Sequence, residues 1–187
     1  MPTPYRVAAL IGSLRKDSLN RKLATALAGL SPPELVLQHV RIDDLPLFNP
    51  DHEQNPPEPA ARVKREIEAA DALLFVTPEY NRSIPGVLKN AIDTASRPYG
   101  RNSFAKKPGG VIGISTGAVG TAVAQQHLRT ILAYLDVPTL GQPEAFIQFK
   151  DGLIAEGGEV TDENRRKFLQ NWIDRFAEWV KRFAAPR

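Results

Sequence analysis

The sequence predicts an α/β fold, a parallel sheet with helices packed on both of its faces. Short apolar runs alternate with stretches of helical spacing along the chain. Three of those runs, 5–11, 72–77 and 109–115, are apolar at almost every position, and each is followed at once by a polar or glycine-bearing turn that leads into a helix. A strand that is apolar throughout is buried on both faces, as parallel strands covered by helices are. With 187 residues, no internal repeat and no low-complexity tract, residues 1–187 read as a single domain.

The elements follow in order. Tyr5 to Ile11 is a central strand, and from Leu19 the residues Leu23, Leu27 and Leu30 recur at helical spacing until Ser31-Pro32-Pro33 ends the helix. Leu35 to Ile42 mixes apolar with polar residues, the composition of an edge strand. Asp43 to Pro59 carries five prolines and is a surface loop of functional length. Ala60 to Ala70 is a helix with Val63, Ile67 and Ala70 on its apolar face; Ala72 to Thr77 is a buried strand. Pro85 stands at the start of a helix over Gly86 to Ala95, and Arg97 to Pro108 is a basic loop leading to the buried strand Gly109 to Ser115. The next helix buries Leu128, Ile131, Leu132 and Leu135. Val137 to Leu140 and Ala145 to Phe149 supply the last strand region. Thr161 or Asp162 caps a final helix whose Phe168, Trp172, Phe176, Trp179 and Phe183 form an aromatic stripe, for the core or a subunit contact.

Composition removes whole classes of chemistry. The absence of cysteine excludes disulfides, thiolate nucleophiles and cysteine-ligated metals, so any redox chemistry comes from a bound cofactor. His39, His52 and His127 are dispersed and lack metal-ligand spacing, so no metal site is expected. The N-terminal residues do not read as a signal peptide and no apolar run reaches membrane-spanning length, which suits a cytoplasmic enzyme or binding protein. The net charge of +3 is scattered among acids, and no basic helix with interleaved aromatics points to nucleic acid. Such mild positive charge steers anionic small molecules.

Three loops leave the carboxyl ends of the buried strands, where open parallel sheets bind ligands. In the first, Gly12 to Asn20, the hydroxyls of Ser13 and Ser18, the Asn20 amide and the Arg15 guanidinium lie beside a helix N-terminus, a set suited to a phosphate. The same residues also read as a plain turn and N-cap. In the second, Tyr80 can lie against a flat ring and Asn81 can meet its polar edge. In the third, Thr116 to Thr121, glycines let the backbone approach closely. With the strand order 2-1-3-4-5 of flavodoxin-like sheets, the first two loops flank the switch point and the third lies beside them, a geometry suited to FMN.

Gly12-Ser13-Leu14-Arg15 with Ser18 and Asn20, Thr77-Pro78-Glu79-Tyr80-Asn81, and Ile84-Pro85-Gly86-Val87-Leu88-Lys89-Asn90-Ala91-Ile92-Asp93 together resemble the NADPH-dependent FMN reductase family. Within it the bacterial quinone and chromate reductases, themselves related to azoreductases, are most similar. The similarity runs from the first strand to about Asp136 and weakens beyond Gly141. It implies a flavodoxin-like three-layer sandwich, tightly bound FMN, and a homodimer or homotetramer. It places phosphate-loop roles on Ser13, Arg15, Ser18 and Asn20 and ring-contacting roles on Pro78, Glu79, Tyr80 and Asn81. Ser115, Thr116 and Gly117 correspond to the third loop.

Arg82 follows Asn81 where several relatives are hydrophobic or aromatic, and with Arg101 it is a candidate for attracting an anionic substrate. The expected chemistry is hydride transfer from NADPH or NADH to flavin N5, then transfer to quinones, chromate or azo compounds in a ping-pong cycle, without a protein acid or base. The competing reading is a flavodoxin-type electron carrier. It lacks support in the first loop, which has no run of Thr and Gly, and in the basic composition. A receiver-like domain would need a carboxylate where Thr77-Pro78 stands, and neither a dinucleotide fingerprint, a Walker lysine nor a nucleophile elbow is present.

Overall fold

The computed structural model describes residues 3–155 and 157–184. Five strands, β1 (Tyr5–Ile11), β2 (Leu35–Val40), β3 (Ala72–Val76), β4 (Gly109–Ser115) and β5 (Phe146–Gln148), form a parallel sheet in the order β2-β1-β3-β4-β5. The helices are α1 (Leu19–Leu30), α2 (Glu58–Glu68), α3 (Gly86–Ala95), α4 (Ala122–Tyr134) and α5 (Glu163–Phe183), with a short 3-10 turn at Pro50–His52. This is the flavodoxin-like arrangement, and β2 takes the edge position that its mixed composition indicates.

The alternation of side chains along each strand divides the core into two layers. In β3, Ala72, Leu74 and Val76 face α1 and α5, where they meet Leu23, Leu27, Trp172 and Phe176. Leu73 and Phe75 point the other way, towards Val63, Leu88, Leu128 and Phe104 among α2, α3, α4 and the segment before β4. Each fully buried leucine or phenylalanine contributes roughly 1.5–3 kcal/mol over an exposed one, so a strand buried on both faces anchors the whole domain. A side chain at Gly110 would meet the Phe176 ring at 2.9 Å, so β4 carries glycine where α5 crosses it.

Two expectations are corrected here. The buried face of α5 consists of Leu169, Trp172, Ile173, Phe176, Ala177 and Val180, whereas Phe168 and Trp179 are partly buried and Phe183 is exposed. Trp172 and Phe176 of the aromatic stripe thus lie in the core and Phe168 and Trp179 pack at its margin, while Leu169, Ile173, Ala177 and Val180 complete the buried face at helical spacing. Val137 to Leu140 forms no full strand. Only Thr139 bridges to Gly109, and β5 is limited to three residues beyond Pro143. At the last helix, the Asp162 carboxylate is the cap, accepting the Arg165 N–H at 2.8 Å.

Candidate functional site

The three loops share one crest at the carboxyl ends of the strands, and hydrogen bonds tie them together. The Gly12 N–H donates to Val76 O at 2.9 Å, and the Thr77 N–H donates to Ile112 O at 3.0 Å, the last rung between β3 and β4. Ile114, two residues beyond Ile112 and so directed to the same side, is met by a side chain instead. The Asn20 amide donates to Ile114 O at 2.9 Å and accepts the Ile114 N–H at 3.1 Å. Asn20 thus acts as one more rung of the sheet, and both polar atoms of its amide are engaged inside the protein.

In the first loop Gly12 and Ser13 are buried while Leu14, Arg15, Lys16 and Asp17 are exposed. The Ser13 hydroxyl receives the Arg15 N–H at 3.4 Å, and the buried Ser18 hydroxyl caps α1 by accepting the Arg21 N–H at 3.2 Å. Both serines keep an O–H free to donate. Among the described residues no carboxylate or carbonyl engages the side chain of Arg15 or of Lys16. Two unpaired cations therefore flank the positive end of the α1 dipole. Lys16 is the member of this set that the sequence reading passed over; its signal was position alone, one residue beyond Arg15.

The second loop is a tight turn. Tyr80 and Ser83 exchange backbone hydrogen bonds, both at 3.0 Å, with Asn81 and Arg82 at φ of 51° and 62° between them. Positive φ at both central residues is the type I′ geometry, in which asparagine is common and arginine is strained. The Tyr80 ring is half exposed, and the Pro78 carbonyl accepts the Thr77 hydroxyl at 2.8 Å. Glu79 turns inward. One carboxylate oxygen accepts the N–H groups of Val123 and Ala124 at 3.0 and 3.1 Å, and the other meets Arg82 at 3.1 Å. Ser83 also contacts Nδ1 of His127 on α4 at 3.2 Å.

In the third loop Thr116 and Gly117 are exposed, the Ser115 hydroxyl accepts the Gly117 N–H at 3.2 Å, and Gln148 reaches Thr116 O. Just below, Gly113 lies so close to the second loop that a methyl group would stand 2.1 Å from Thr77 O and 2.3 Å from the Thr121 hydroxyl. The second and third loops pack on each other through that contact.

Arg101 is not brought to this crest. It lies on the connection from α3 to β4, at the amino ends of the strands, and with Arg97 it lines a cavity of about 440 Å³ between α2, α3 and the 46–57 segment. The proline-rich loop is fastened there: Asn90 accepts the Phe48 N–H at 2.8 Å and donates to Pro46 O at 2.9 Å. Below it the Lys64 ammonium donates to Ala95 O, Arg101 O and the Ser103 hydroxyl at 3.1, 3.0 and 2.8 Å, and desolvation pulls its pKa below the ordinary lysine value. Among the described residues no group of acidic and histidine side chains is placed to hold a metal, and no helix is long and apolar enough to cross a membrane.

The donor set at the crest fits a phosphorylated flat heteroaromatic. Arg15, Lys16 and the serine hydroxyls answer a dianion, the half-exposed Tyr80 offers a face, and only the Ser115 hydroxyl stands within 4 Å of the place a Gly117 side chain would take. The profile of the NADPH-dependent FMN reductase family matches residues 5–152, extending the similarity past the point where the motifs fade. The chain is 50% identical over 182 residues to a quinone reductase of Pseudomonas putida, covering 97% of each chain. It is 49% identical over 176 residues to a 2-hydroxy-1,4-benzoquinone reductase of a Burkholderia species, covering 94% of this chain and 96% of that one. The solved structure of FerB, a flavoenzyme NAD(P)H:(acceptor) oxidoreductase from Paracoccus denitrificans, superposes with a TM-score of 0.93 at 46% identity, covering 97% of this chain and all of that one. A flavodoxin from Pseudomonas aeruginosa shares the fold alone, with a TM-score of 0.60 at 20% identity over 94% of this chain and 99% of that one. With its loops, its crest and its relatives in agreement, the chain belongs to the NADPH-dependent FMN reductase family, enzymes that work with FMN and a reduced nicotinamide.

Proposed function

We propose that this protein is an NAD(P)H-dependent quinone reductase in which FMN lies along the crest with its phosphate on the Gly12 to Asn20 loop. The observation that carries this reading is the pair of unpaired cations, Arg15 and Lys16, at the N-terminus of α1. Bound FMN supplies two-electron redox chemistry between the nicotinamide and a second substrate. The chain's part is to bind and orient. Arg15, Lys16 and the hydroxyls of Ser13 and Ser18 hold the phosphate. Asn20 keeps α1 in place through Ile114. Tyr80 and the backbone of Pro78 to Asn81 take one side of the ring, and Ser115, Thr116 and Gly117 take another. No side chain acts as a proton donor or acceptor.

Quinones are the acceptor class named for the relatives at about half identity. Chromate and azo compounds extend the same reading, with Arg82 as the cation on the crest that meets an anionic acceptor; Arg101 keeps that role only if a second subunit brings it there. The two substrates use one pocket in turn, which gives ping-pong kinetics. NADPH is the preferred donor over NADH. The whole chain acts as one FMN-binding domain in a cytoplasmic homodimer or homotetramer.

The test is the absorption spectrum of the purified protein, followed by anaerobic addition of NADPH and by steady-state kinetics with a benzoquinone. A yellow protein bleached by NADPH, with parallel double-reciprocal lines, is the expected result. A colourless protein that neither takes up FMN nor oxidises NAD(P)H would overturn the reading, and intersecting lines would overturn the shared pocket.

A further inference from the structure

The carboxylate of Glu79 is only 8% exposed, and its partners are the start of α4 and Arg82. The residue in the N-cap position of that helix, Thr121, makes no capping bond with its side chain. The N–H groups of Val123 and Ala124 in the first turn of α4 are received by Glu79, 44 and 45 residues earlier in the chain. A buried carboxylate needs such partners, and the helix dipole favours its charge there. Its second oxygen holds Arg82, one of the two strained residues of the Tyr80–Ser83 turn. Backbone strain of this kind persists only where the surroundings over-determine it. Tyr80 is thereby held from both sides, through the Glu79 anchor before it and the Ser83 hydrogen bonds and Arg82 ion pair after it.

We infer that Glu79 is a positioning residue: by tying the turn at Tyr80–Ser83 to the N-terminus of α4, it fixes where that turn stands beside the flavin ring. The inference rests on the proposal that FMN occupies the crest. It replaces direct ring contact by the Glu79 side chain with an action through Tyr80 and its turn. Arg82 is in the same arrangement a brace for the turn, with the remainder of its guanidinium open to solvent.

Three variants test this: Glu79→Ala, Glu79→Gln, and Glu79→Ala combined with Ala122→Asp, which returns an acid to the first turn of α4 without touching the turn at Tyr80. The measurements are thermal melting of the apoprotein, FMN titration by quenching of flavin fluorescence, and the absorption bands of the bound flavin. Glu79→Ala weakens FMN binding about tenfold and alters the bands. Glu79→Gln keeps a neutral acceptor for the α4 N–H groups and stays within about threefold of the parent, since charged hydrogen bonds are roughly twice as strong as neutral ones. The double variant recovers melting temperature while FMN binding and the bands remain those of Glu79→Ala. Recovery of FMN binding together with melting temperature would make Glu79 a helix cap only and overturn the inference, as would unchanged binding in Glu79→Ala. Should Glu79→Ala not fold, a further variant, Glu79→Asp, whose carboxylate is one methylene shorter and so draws the turn out of place, decides by its bands: a spectrum and affinity identical to the parent's overturn the inference, and a shifted spectrum with weaker binding supports it. A parent protein that takes up no FMN removes the flavin reading itself, and this inference with it.

Discussion

At the amino end of the sheet two lysines are engaged by the protein, whereas at the carboxyl end Arg15 and Lys16 face outward, met by no carboxylate or carbonyl of the described residues. Lys64 closes the end of α3 through three acceptors, and Lys107 donates to Glu68 O and Ala70 O at the end of α2. Arg15 and Lys16 stand at the start of α1 without such partners. Both sets sit at helix termini, but at opposite poles. Lysines at carboxyl termini complete the fold, while cations at an amino terminus add to a positive pole and call for an anion. The fold and the site are thus built from similar side chains placed at opposite ends of their helices.

The sharpest way to break the comparison is to disturb the backbone on which the crest is built. Gly113→Ala drives a methyl group into Thr77 O and Thr121. It is expected to cost about 3 kcal/mol or more, a fall in melting temperature on the order of 10 °C for a domain of this size. An unchanged melting curve would show that the two loops are not packed as described. Next, Lys64→Met removes the ammonium donor shared by Ala95 O, Arg101 O and the Ser103 hydroxyl and should cost about 2 kcal/mol in urea unfolding, with FMN affinity unaltered. Arg15→Ala should show the reverse pattern. FMN binding falls about tenfold, or 1.4 kcal/mol, while the apoprotein melts as before. Equal behaviour of these two variants would erase the distinction between the poles.

The smallest effect concerns the edge of the sheet. Partial desolvation at the sheet edge, with Arg21 nearby, holds the exposed His39 imidazole below its ordinary pKa. The unfolded chain therefore binds more protons between that lowered value and 6.5, the ordinary one, so stability declines as pH falls through this window and levels off below it. Urea midpoints at pH 7.5 and 5.5 should differ less in His39→Gln than in the parent, and an equal difference would clear His39 of the effect. FMN affinity should follow neither.

Element boundaries marked by local chemistry were legible in the sequence. Ser18 opens α1, Pro85 precedes Gly86, and β1 and β4 run over the residues their apolar character indicates. The orientation of α5 was legible only in part: Trp172 and Phe176 of its aromatic stripe are buried, but the core face is completed by Leu169, Ile173 and Val180, while Phe183 at the end of the stripe is exposed. The site was legible as three loops and illegible as a set of bonds. Glu79 meets Ala124 across 45 residues and Asn20 meets Ile114 across 94, and no local pattern announces either contact. Arg101 is a different case. Its loop precedes β4, so the order of elements already places it at the amino ends of the strands, away from the crest.

The Asn20 amide gives the site a place in time. Its contact with Ile114 closes a loop of 94 residues, and contacts so distant along the chain form only after the intervening segments have been ordered. The residues of the Gly12 to Asn20 loop emerge early in synthesis, yet the Asn20 contact is complete only when β4 is in place beside β3. A chain arrested before Ile114 holds the motif but not the rung that anchors it. Completion of the first loop is thereby tied to assembly of the sheet.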